Sequence, residues 1–109
     1  MKKAAPQYIW LYIPCPTKEK AKEIARVLVN ESWIACANII DNVHSIYQWQ
    51  GKVEESSEII MIAKTKSELY DQVKNRIEEL HPYECPCIVA LPIDRANERY
   101  TAWIDSVTK

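Results

Sequence analysis

Residues 8–13 are aliphatic or aromatic at all six positions, and no other segment constrains the fold as strongly. Such β-branched and aromatic side chains are typical of a strand. Because successive side chains of a strand point to opposite faces, both faces of this strand are apolar. Strands of this kind lie in sheets that are covered on both sides. One face carries Ile9, Leu11 and Ile13, and the other carries Tyr8, Trp10 and Tyr12.

The rest of the chain shows the periodicity of three further strands and three helices. Apolar residues recur at helical spacing after Thr17 and after Ser67, each of which can cap a helix. The second helix must end near His81, because the residue before Pro82 is disfavoured in the α region. Gln50-Gly51 is the one strong turn signal. The other predicted strands are residues 34–40, resumed as 43–49 after Asp41-Asn42, then 58–65 and 88–93, and a short last helix opens at Asn97.

This order is βαββαβ followed by a helix. Two βαβ crossovers joined by a hairpin give a four-stranded sheet with both helices on one face, the ferredoxin-like α+β sandwich. A chain of 109 residues hides about two thirds of its surface on folding, which is enough for one core. We therefore expect a single domain over residues 1–109, with residues 1–7 flexible.

The aromatic face of the first strand needs a cover of its own, because both helices pack on the aliphatic face. Three large aromatic side chains present about 450–750 Å², close to the largest apolar patch that a monomer tolerates. We expect an obligate homo-oligomer whose copies meet on this face. The alternative is that the hairpin and the terminal helix fold over it and keep the chain monomeric.

Composition excludes several classes of function. Fourteen Lys and Arg against fifteen Asp and Glu leave a net charge of −1, so no basic field indicates nucleic acid or a membrane surface as a partner. Phosphate-cradling loops, dinucleotide fingerprints and serine elbows need several neighbouring glycines, whereas Gly51 is the only glycine. Two histidines cannot form a three-histidine metal site within one chain.

The cellular compartment is expected to be the cytoplasm. The basic start of the chain is not followed by an apolar signal core. In a reducing compartment free thiols are the default state of cysteine, and one core of this size needs no disulfides. The four cysteines are Cys15, Cys36, Cys85 and Cys87.

The densest group of chemically active side chains is His81-Pro82-Tyr83-Glu84-Cys85-Pro86-Cys87. Thiolates together with imidazole suit copper or zinc. In an extended segment Cys85 and Cys87 lie on one face with Cα atoms about 6.6 Å apart, which favours a shared metal ion or two free thiols over a disulfide. The alternative is structural: His81 bonds a carbonyl at the end of the helix, Pro82 ends the helix and Pro86 starts an edge strand.

Charges also flank the apolar third strand. Glu58 enters it and Lys64 leaves it, and charge at the end of a buried strand needs a partner. A structural ion pair is the simplest interpretation. Trp49, beside the turn at Gly51, is either an interface anchor or an exposed stacking platform.

A set of short motifs is spread over nearly the whole chain, from Ile9 to the last helix. They are Ala35-Cys36-Ala37-Asn38-Ile39-Ile40, residues 45–52 with Tyr47, Trp49 and Gly51-Lys52, Glu58, Met61, Lys64-Thr65, His81-Pro82-Tyr83, Pro86, Leu91-Pro92, Tyr100 and Trp103. Together these motifs resemble the CutA family of divalent-cation tolerance proteins. The resemblance implies a cytosolic homotrimer of ferredoxin-like subunits, similar in build to the PII signalling proteins. It also implies copper or other divalent-metal binding, no organic cofactor and no catalytic reaction.

By this resemblance His81 is the first candidate metal ligand. Cys85 and Cys87 are further candidate ligands on the chemistry of their thiols, and both depart from the family's pattern. The same resemblance places four residues in or beside the cleft between subunits: Tyr83, Glu58, Lys64 and Trp49. Where relatives commonly carry a glutamate, this chain has Cys87, which disfavours hard cations and favours Cu(I) or Zn(II).

Three functions follow as hypotheses. The first is a trimeric protein of metal binding and metal tolerance. The second is a PII-like signalling module that binds a small anionic ligand in the intersubunit cleft and requires Lys64, a hypothesis that rests on fold analogy. The third is an enzyme that uses Cys87 or His81 in thiol or acid–base chemistry, although no triad can be argued from spacing.

Overall fold

A computed structural model describes residues 6–109. The expected flexibility of residues 1–7 falls largely on residues 1–5, which lie outside the described residues. The elements in chain order are β1 (Tyr8–Cys15), α1 (Lys18–Asn30), β2 (Cys36–Trp49), β3 (Lys52–Lys66), α2 (Tyr70–Leu80), β4 (Val89–Pro92) and α3 (Glu98–Val107).

The four strands form one antiparallel sheet in the order β2-β3-β1-β4. The hairpin joins the neighbours β2 and β3, whereas each crossover helix skips one strand of the sheet, α1 running from β1 to β2 and α2 from β3 to β4. The ferredoxin-like fold is thus confirmed. The aliphatic face of β1 packs on α1 and α2, as its alternation predicted. The core contains Ile9, Leu11, Ile13, Ala21, Ile24, Ala25, Leu28, Met61, Ala63, Leu69, Val73 and Ile77.

The predicted cap of α1 by Thr17 is confirmed, and the predicted cap of α2 by Ser67 is wrong. The Thr17 hydroxyl accepts the Lys20 N–H at 3.1 Å at the start of α1. Ser67 does not cap α2, because Leu69 is the residue that precedes the helix and no side chain caps it. The Ser67 N–H donates to the Gln7 carbonyl at 2.8 Å and continues the pairing of the strand ends. A single 3₁₀ turn, Ser67–Leu69, intervenes before α2 begins at Tyr70.

A one-residue bulge in β2 sets which side chains of the hairpin face which way. Ile40 pairs with Ile60 and Val43 with Glu58, so β2 holds one residue more than β3 between these pairs. Asn42 takes the extra position with a φ of 60°. Because side chains alternate along a strand, the extra residue shifts the alternation by one. Residues 36, 38 and 40 before the bulge therefore share a face with residues 43, 45, 47 and 49 after it.

The hairpin is longer than the sequence pattern indicated. The turn lies at Gln50 and Gly51, whose φ values of 51° and 79° are those of a tight two-residue hairpin turn. β3 begins directly after it, six residues before the predicted start at Glu58. Residues 52–57 are polar and exposed, so they carry no apolar alternation that a sequence pattern could detect.

The sheet face opposite α1 and α2 is only partly covered, and we call it the open face. α3 covers one end of it: Ile104 is fully buried, and the Tyr8 hydroxyl donates to Asp105 Oδ2 at 2.8 Å. The hairpin does not fold back over the rest. Large apolar side chains exposed on the open face are Trp10, Tyr12, Ile40, Tyr47, Trp49, Val89 and Leu91.

Among residues 6–109, none of the helices combines the length and the hydropathy required to cross a bilayer.

Candidate functional site

A cavity of about 730 Å³ opens on the open face between the base of the hairpin, the end of β1 and the segment that joins α2 to β4. This location brings together side chains that are far apart in the sequence. Of the seven residues that the sequence placed in or near a site, five line the cavity: Trp49, Glu58, Tyr83, Cys85 and Cys87. His81 and Lys64 do not line it.

A hydrogen bond between Tyr83 and Glu58 ties the α2–β4 segment to the sheet. The Tyr83 hydroxyl donates to Glu58 Oε2 at 2.7 Å. Burial of the phenol, followed by its bond to the carboxylate and the carboxylate's charge, raises the pKa of Tyr83 well above its usual range. Tyr83 therefore stays protonated and acts as a donor. Within the chain Glu58 bonds Tyr83 and Lys64 bonds Asn38, so the expected ion pair between Glu58 and Lys64 is wrong.

His81 lies beneath the cavity, inside the protein, and is only 7% exposed. One ring nitrogen, Nε2, lies 2.8 Å from the Pro14 carbonyl oxygen, and the other, Nδ1, accepts the Tyr83 N–H at 3.2 Å. Because a carbonyl can only accept, Nε2 carries the proton. Both ring nitrogens are thus engaged by the backbone, and in this arrangement His81 holds the α2–β4 segment against the end of β1; a ligand role for His81 stays a prediction.

The two thiols of the segment are on the other side, towards solvent. Cys85 and Cys87 are both exposed and free. Burial raises the pKa of the Cys87 thiol, and the negative charges of Glu58 and Cys85 raise it further. Residues 6–109 hold no cluster of three or more His, Cys, Asp or Glu placed to bind one metal ion. One chain therefore offers this cavity two soft donors and no complete tetrahedral site.

Replacing Glu58 with glutamine is expected to speed alkylation of Cys87. Glutamine keeps an acceptor for Tyr83 but removes the negative charge that raises the pKa of Cys87. A lower pKa gives more thiolate at pH 8 and a faster reaction with iodoacetamide. The rate is measured for Cys87 by mass spectrometry in a Cys85→Ser background.

The matched control is Glu55→Gln, which removes a carboxylate of the same strand that bonds His44 Nε2 at 2.7 Å on the other face. This control is expected to leave the rate unchanged. Equal rates in the Glu58→Gln and parent proteins would show that the Glu58 charge does not reach Cys87.

Lys64 lies at the other end of the open face. Lys64 stands six positions after Glu58 on β3, so the Cα atoms of the two residues lie about 20 Å apart. Its ammonium donates to Asn38 Oδ1 at 2.9 Å and lies 5.6 Å from the ring centroid of Trp10 and 5.8 Å from that of Tyr100. Within one chain, Lys64 therefore does not line the cavity that holds Trp49 and Tyr83, and its place in a cleft between subunits stays a prediction.

Sequence reasoning missed two aromatic side chains of the cavity, Tyr12 and Tyr47. Tyr12 was assigned to the apolar face but not to a site. Tyr47 stands two residues before Trp49, so strand alternation places both on one face and could have found it. Whether that face is the open face depends on the extra residue at Asn42, and no apolar pattern in the sequence indicates how many extra residues the bulge holds.

Comparison with known proteins agrees with these observations. A family model described as CutA1 divalent ion tolerance protein matches residues 9–107. Protein CutA of Homo sapiens is 41% identical over 98 residues, which is 90% of this chain and 55% of that protein. The divalent-cation tolerance protein CutA of Pyrococcus horikoshii is 40% identical over 101 residues, 93% of this chain and 98% of that protein. The chain thus spans about half the length of its mammalian relatives.

Solved structures give the same result. The divalent cation tolerance protein of Thermus thermophilus superposes with a TM-score of 0.91 at 40% identity, covering 94% of this chain and 99% of that one. CutA1 from Oryza sativa gives a TM-score of 0.92 at 34% identity, with 95% of both chains covered. By fold, by motif and by the match of residues 9–107, this chain belongs to the CutA1 divalent ion tolerance family.

Proposed function

We propose that this chain is a cytoplasmic divalent-cation tolerance protein that works as a homotrimer and binds copper as Cu(I), without catalysing a reaction. The observation that carries the proposal is the pair of free, exposed thiols of Cys85 and Cys87 in the cavity of the open face. The names of the relatives, divalent-cation tolerance proteins, support cation binding as the activity.

The donor set favours Cu(I) over harder ions. Thiolates are soft ligands that select Cu(I) and Zn(II), whereas carboxylates and carbonyls suit Mg²⁺ and Ca²⁺. Zn(II) in structural sites takes four ligands, and one chain supplies only two thiols here. Cu(I) is satisfied by two thiolates, so it needs no donor from a second copy.

The homotrimer is supported by the uncovered part of the open face. Trp10, Tyr12 and Val89 are 42%, 37% and 51% exposed in adjacent rows of the sheet. A contiguous apolar patch of this kind marks a protein interface. The number of copies, three, follows from the resemblance to CutA proteins. A copy seated on the face would also border the thiol cavity, because Tyr12 lines both.

Four free cysteines support the cytoplasmic location, because a reducing compartment keeps thiols free. No reaction is assigned: the His81 ring, the imidazole nearest to the two thiols in sequence, is held by backbone groups beneath the cavity.

Titration with Cu(I) under reducing conditions, in competition with a chromophoric chelator, tests the proposal. The Cys85→Ser, Cys87→Ser double variant is expected to lose about a hundredfold or more in affinity, because it lacks both ligands. Cys36→Ser removes a half-buried thiol outside the cavity and is the matched control. Equal affinity of the double variant and the parent protein would show that copper is bound elsewhere.

His81→Ala separates the structural role from a ligand role. We expect this variant to unfold more easily, because two backbone groups lose their partners, and to keep Cu(I) affinity within a few-fold of the parent. A loss of affinity as large as that of the double serine variant would restore His81 as a ligand.

A further inference from the structure

The hairpin continues beyond the four-stranded sheet as a two-stranded arm, residues 43–58. β1 pairs with β3 only as far as Cys15, which lies opposite Ile59, so within residues 6–109 the two strands of the arm pair only with each other. Every residue from 46 to 55 is exposed. An isolated two-stranded hairpin is at best marginally stable in water. The arm therefore requires a packing partner beyond residues 6–109.

The side chains of the arm indicate that this partner is a protein. Antiparallel strands that face water are ordinarily polar on the solvated face. The arm instead carries Tyr47 and Trp49 on the open face, whereas Ile46 and Val53, on the opposite face, are 65% and 70% exposed. Apolar side chains on both faces favour enclosure by a macromolecule over contact with a small ligand.

The thiol cavity, which holds Cys85 and Cys87, lies inside the apolar surface of the open face and not at its margin. Tyr12, on the sheet side, and Tyr47, on the arm side, both line it. Cys87 lies against β1, with Sγ 4.0 Å from the Tyr12 carbonyl oxygen. Within residues 6–109 the cavity has no wall towards the open face, because its lining comes from residues 12–16, 45–58 and 83–87. A partner that packs on the sheet and the arm together therefore covers the thiols.

The length of the apolar surface fits a second copy of this chain. Trp10 pairs with Lys64 and Trp49 with Lys52, so the two tryptophans lie twelve positions apart along β3. Twelve positions of strand measure about 40 Å. One copy measures 43 × 37 × 23 Å, which is enough to span this surface. In a closed ring every copy makes the same contact, so every thiol cavity would be covered.

We propose that the neighbouring copy gates the copper site: it covers Cys85 and Cys87, so Cu(I) enters and leaves the assembled protein only when the contact on the open face opens locally. The inference rests on the proposed function, which supplies the copper, and adds how its exchange is controlled. A competing chelator has to reach the metal in order to remove it. Copper in the assembled protein therefore exchanges more slowly than copper on a separate copy.

Alkylation of the metal-free protein tests the gate without copper. Iodoacetamide rates at Cys85 and Cys87 are measured by mass spectrometry in the assembled parent protein and in Leu91→Glu. Leu91 lies in the row of Trp10, outside the thiol cavity, so its replacement removes the neighbouring copy without placing a charge beside the thiols. We expect both thiols to react about tenfold faster or more in Leu91→Glu, because a covered thiol reacts only during local opening. Cys15 is 0% exposed, so its alkylation reports unfolding and should stay slow in both proteins.

Two further variants control this comparison. Val29→Glu adds the same charge on α1, away from the open face, and should react like the parent protein. Trp10→Glu, also outside the thiol cavity, is a second disassembling variant. A parent protein that sediments as a monomer would overturn the proposal, as would variants at Leu91 and Trp10 that both keep the parent's mass. Equal alkylation rates in the assembled parent and a disassembled variant would overturn it as well.

Release of Cu(I) to a chromophoric chelator separates the gate from the copper site itself. We expect Leu91→Glu to release copper about tenfold faster or more than the parent protein. Equal release rates from two proteins that both bind copper would contradict the gate and leave the copper site in place. Failure of both proteins to bind Cu(I) would contradict the proposed function, whereas the alkylation rates would still decide whether a neighbouring copy covers the thiols.

Discussion

Tyr12→Glu is expected to convert the assembled protein into a 12.7 kDa monomer. Tyr12 lies on β1, a central strand, and its ring is 37% exposed in the middle of the open face. A carboxylate in this position would be buried against a neighbouring copy without a partner, and the effective penalty is several kcal/mol per ion. In a trimer the penalty applies to each of the three copies. Sedimentation equilibrium of dilute protein measures the mass.

Val29→Glu is the matched control. Val29 is 43% exposed on α1, on the side of the molecule away from the open face, so the same new charge there should leave the mass unchanged. Circular dichroism checks that the Tyr12 variant keeps its helices, which pack on the opposite, aliphatic face of the sheet. Leu91→Glu, on the edge strand β4, is a second variant of the same face. Assemblies of unchanged mass in both variants would rule out the open face as the interface.

Joint deletion of Ile46 and Glu55, which pair across the hairpin, is expected to disrupt the assembly by a different route. Because side chains alternate along a strand, the loss of one residue from each strand would turn Tyr47 and Trp49 to the face occupied by His44. The open face would lose two aromatic side chains and the thiol cavity would lose a wall. We expect this variant to fail to assemble in sedimentation, with a large change in the fluorescence of Trp49.

Deletion of Asn42 alone is the matched control. It removes the bulge but leaves Val43 opposite Glu58, so Tyr47 and Trp49 keep their face and the variant should assemble as the parent does. Normal assembly of the variant that lacks Ile46 and Glu55 would mean that the orientation of Tyr47 and Trp49 does not matter for the interface.

The parts of the fold that the sequence predicted are those with a local cause. The aliphatic face of β1 and the buried stripe of α1 follow from periodicity, and the start of α1 follows from a hydroxyl at Thr17. The first half of β3 has no such local cause. Residues 52–57 form a strand because the tight turn at Gln50 and Gly51 lays them against β2, not because of their own side chains.

The sequence predicted most of the residue types that line the cavity, but it did not predict how those residues are placed relative to one another. The cluster from His81 to Cys87 is contiguous in sequence, yet the structure divides it between the interior and the surface. His81 is drawn inward by the Pro14 carbonyl, whereas Cys85 and Cys87 face solvent. An ion pair was expected for Glu58 and Lys64 because both flank one apolar strand, but a strand is extended, so its two ends lie too far apart for that pair within one chain.

The single extra residue of β2 also restricts how hairpins of this kind can diverge among related proteins. One residue more or fewer in β2 alone changes only the bulge, because the turn fixes the pairing of the arm, whereas one residue removed from each strand would invert the faces beyond that point. Matched changes of two residues in each strand would preserve the faces. Length variation in this arm should therefore accumulate in steps of two residues per strand across homologues.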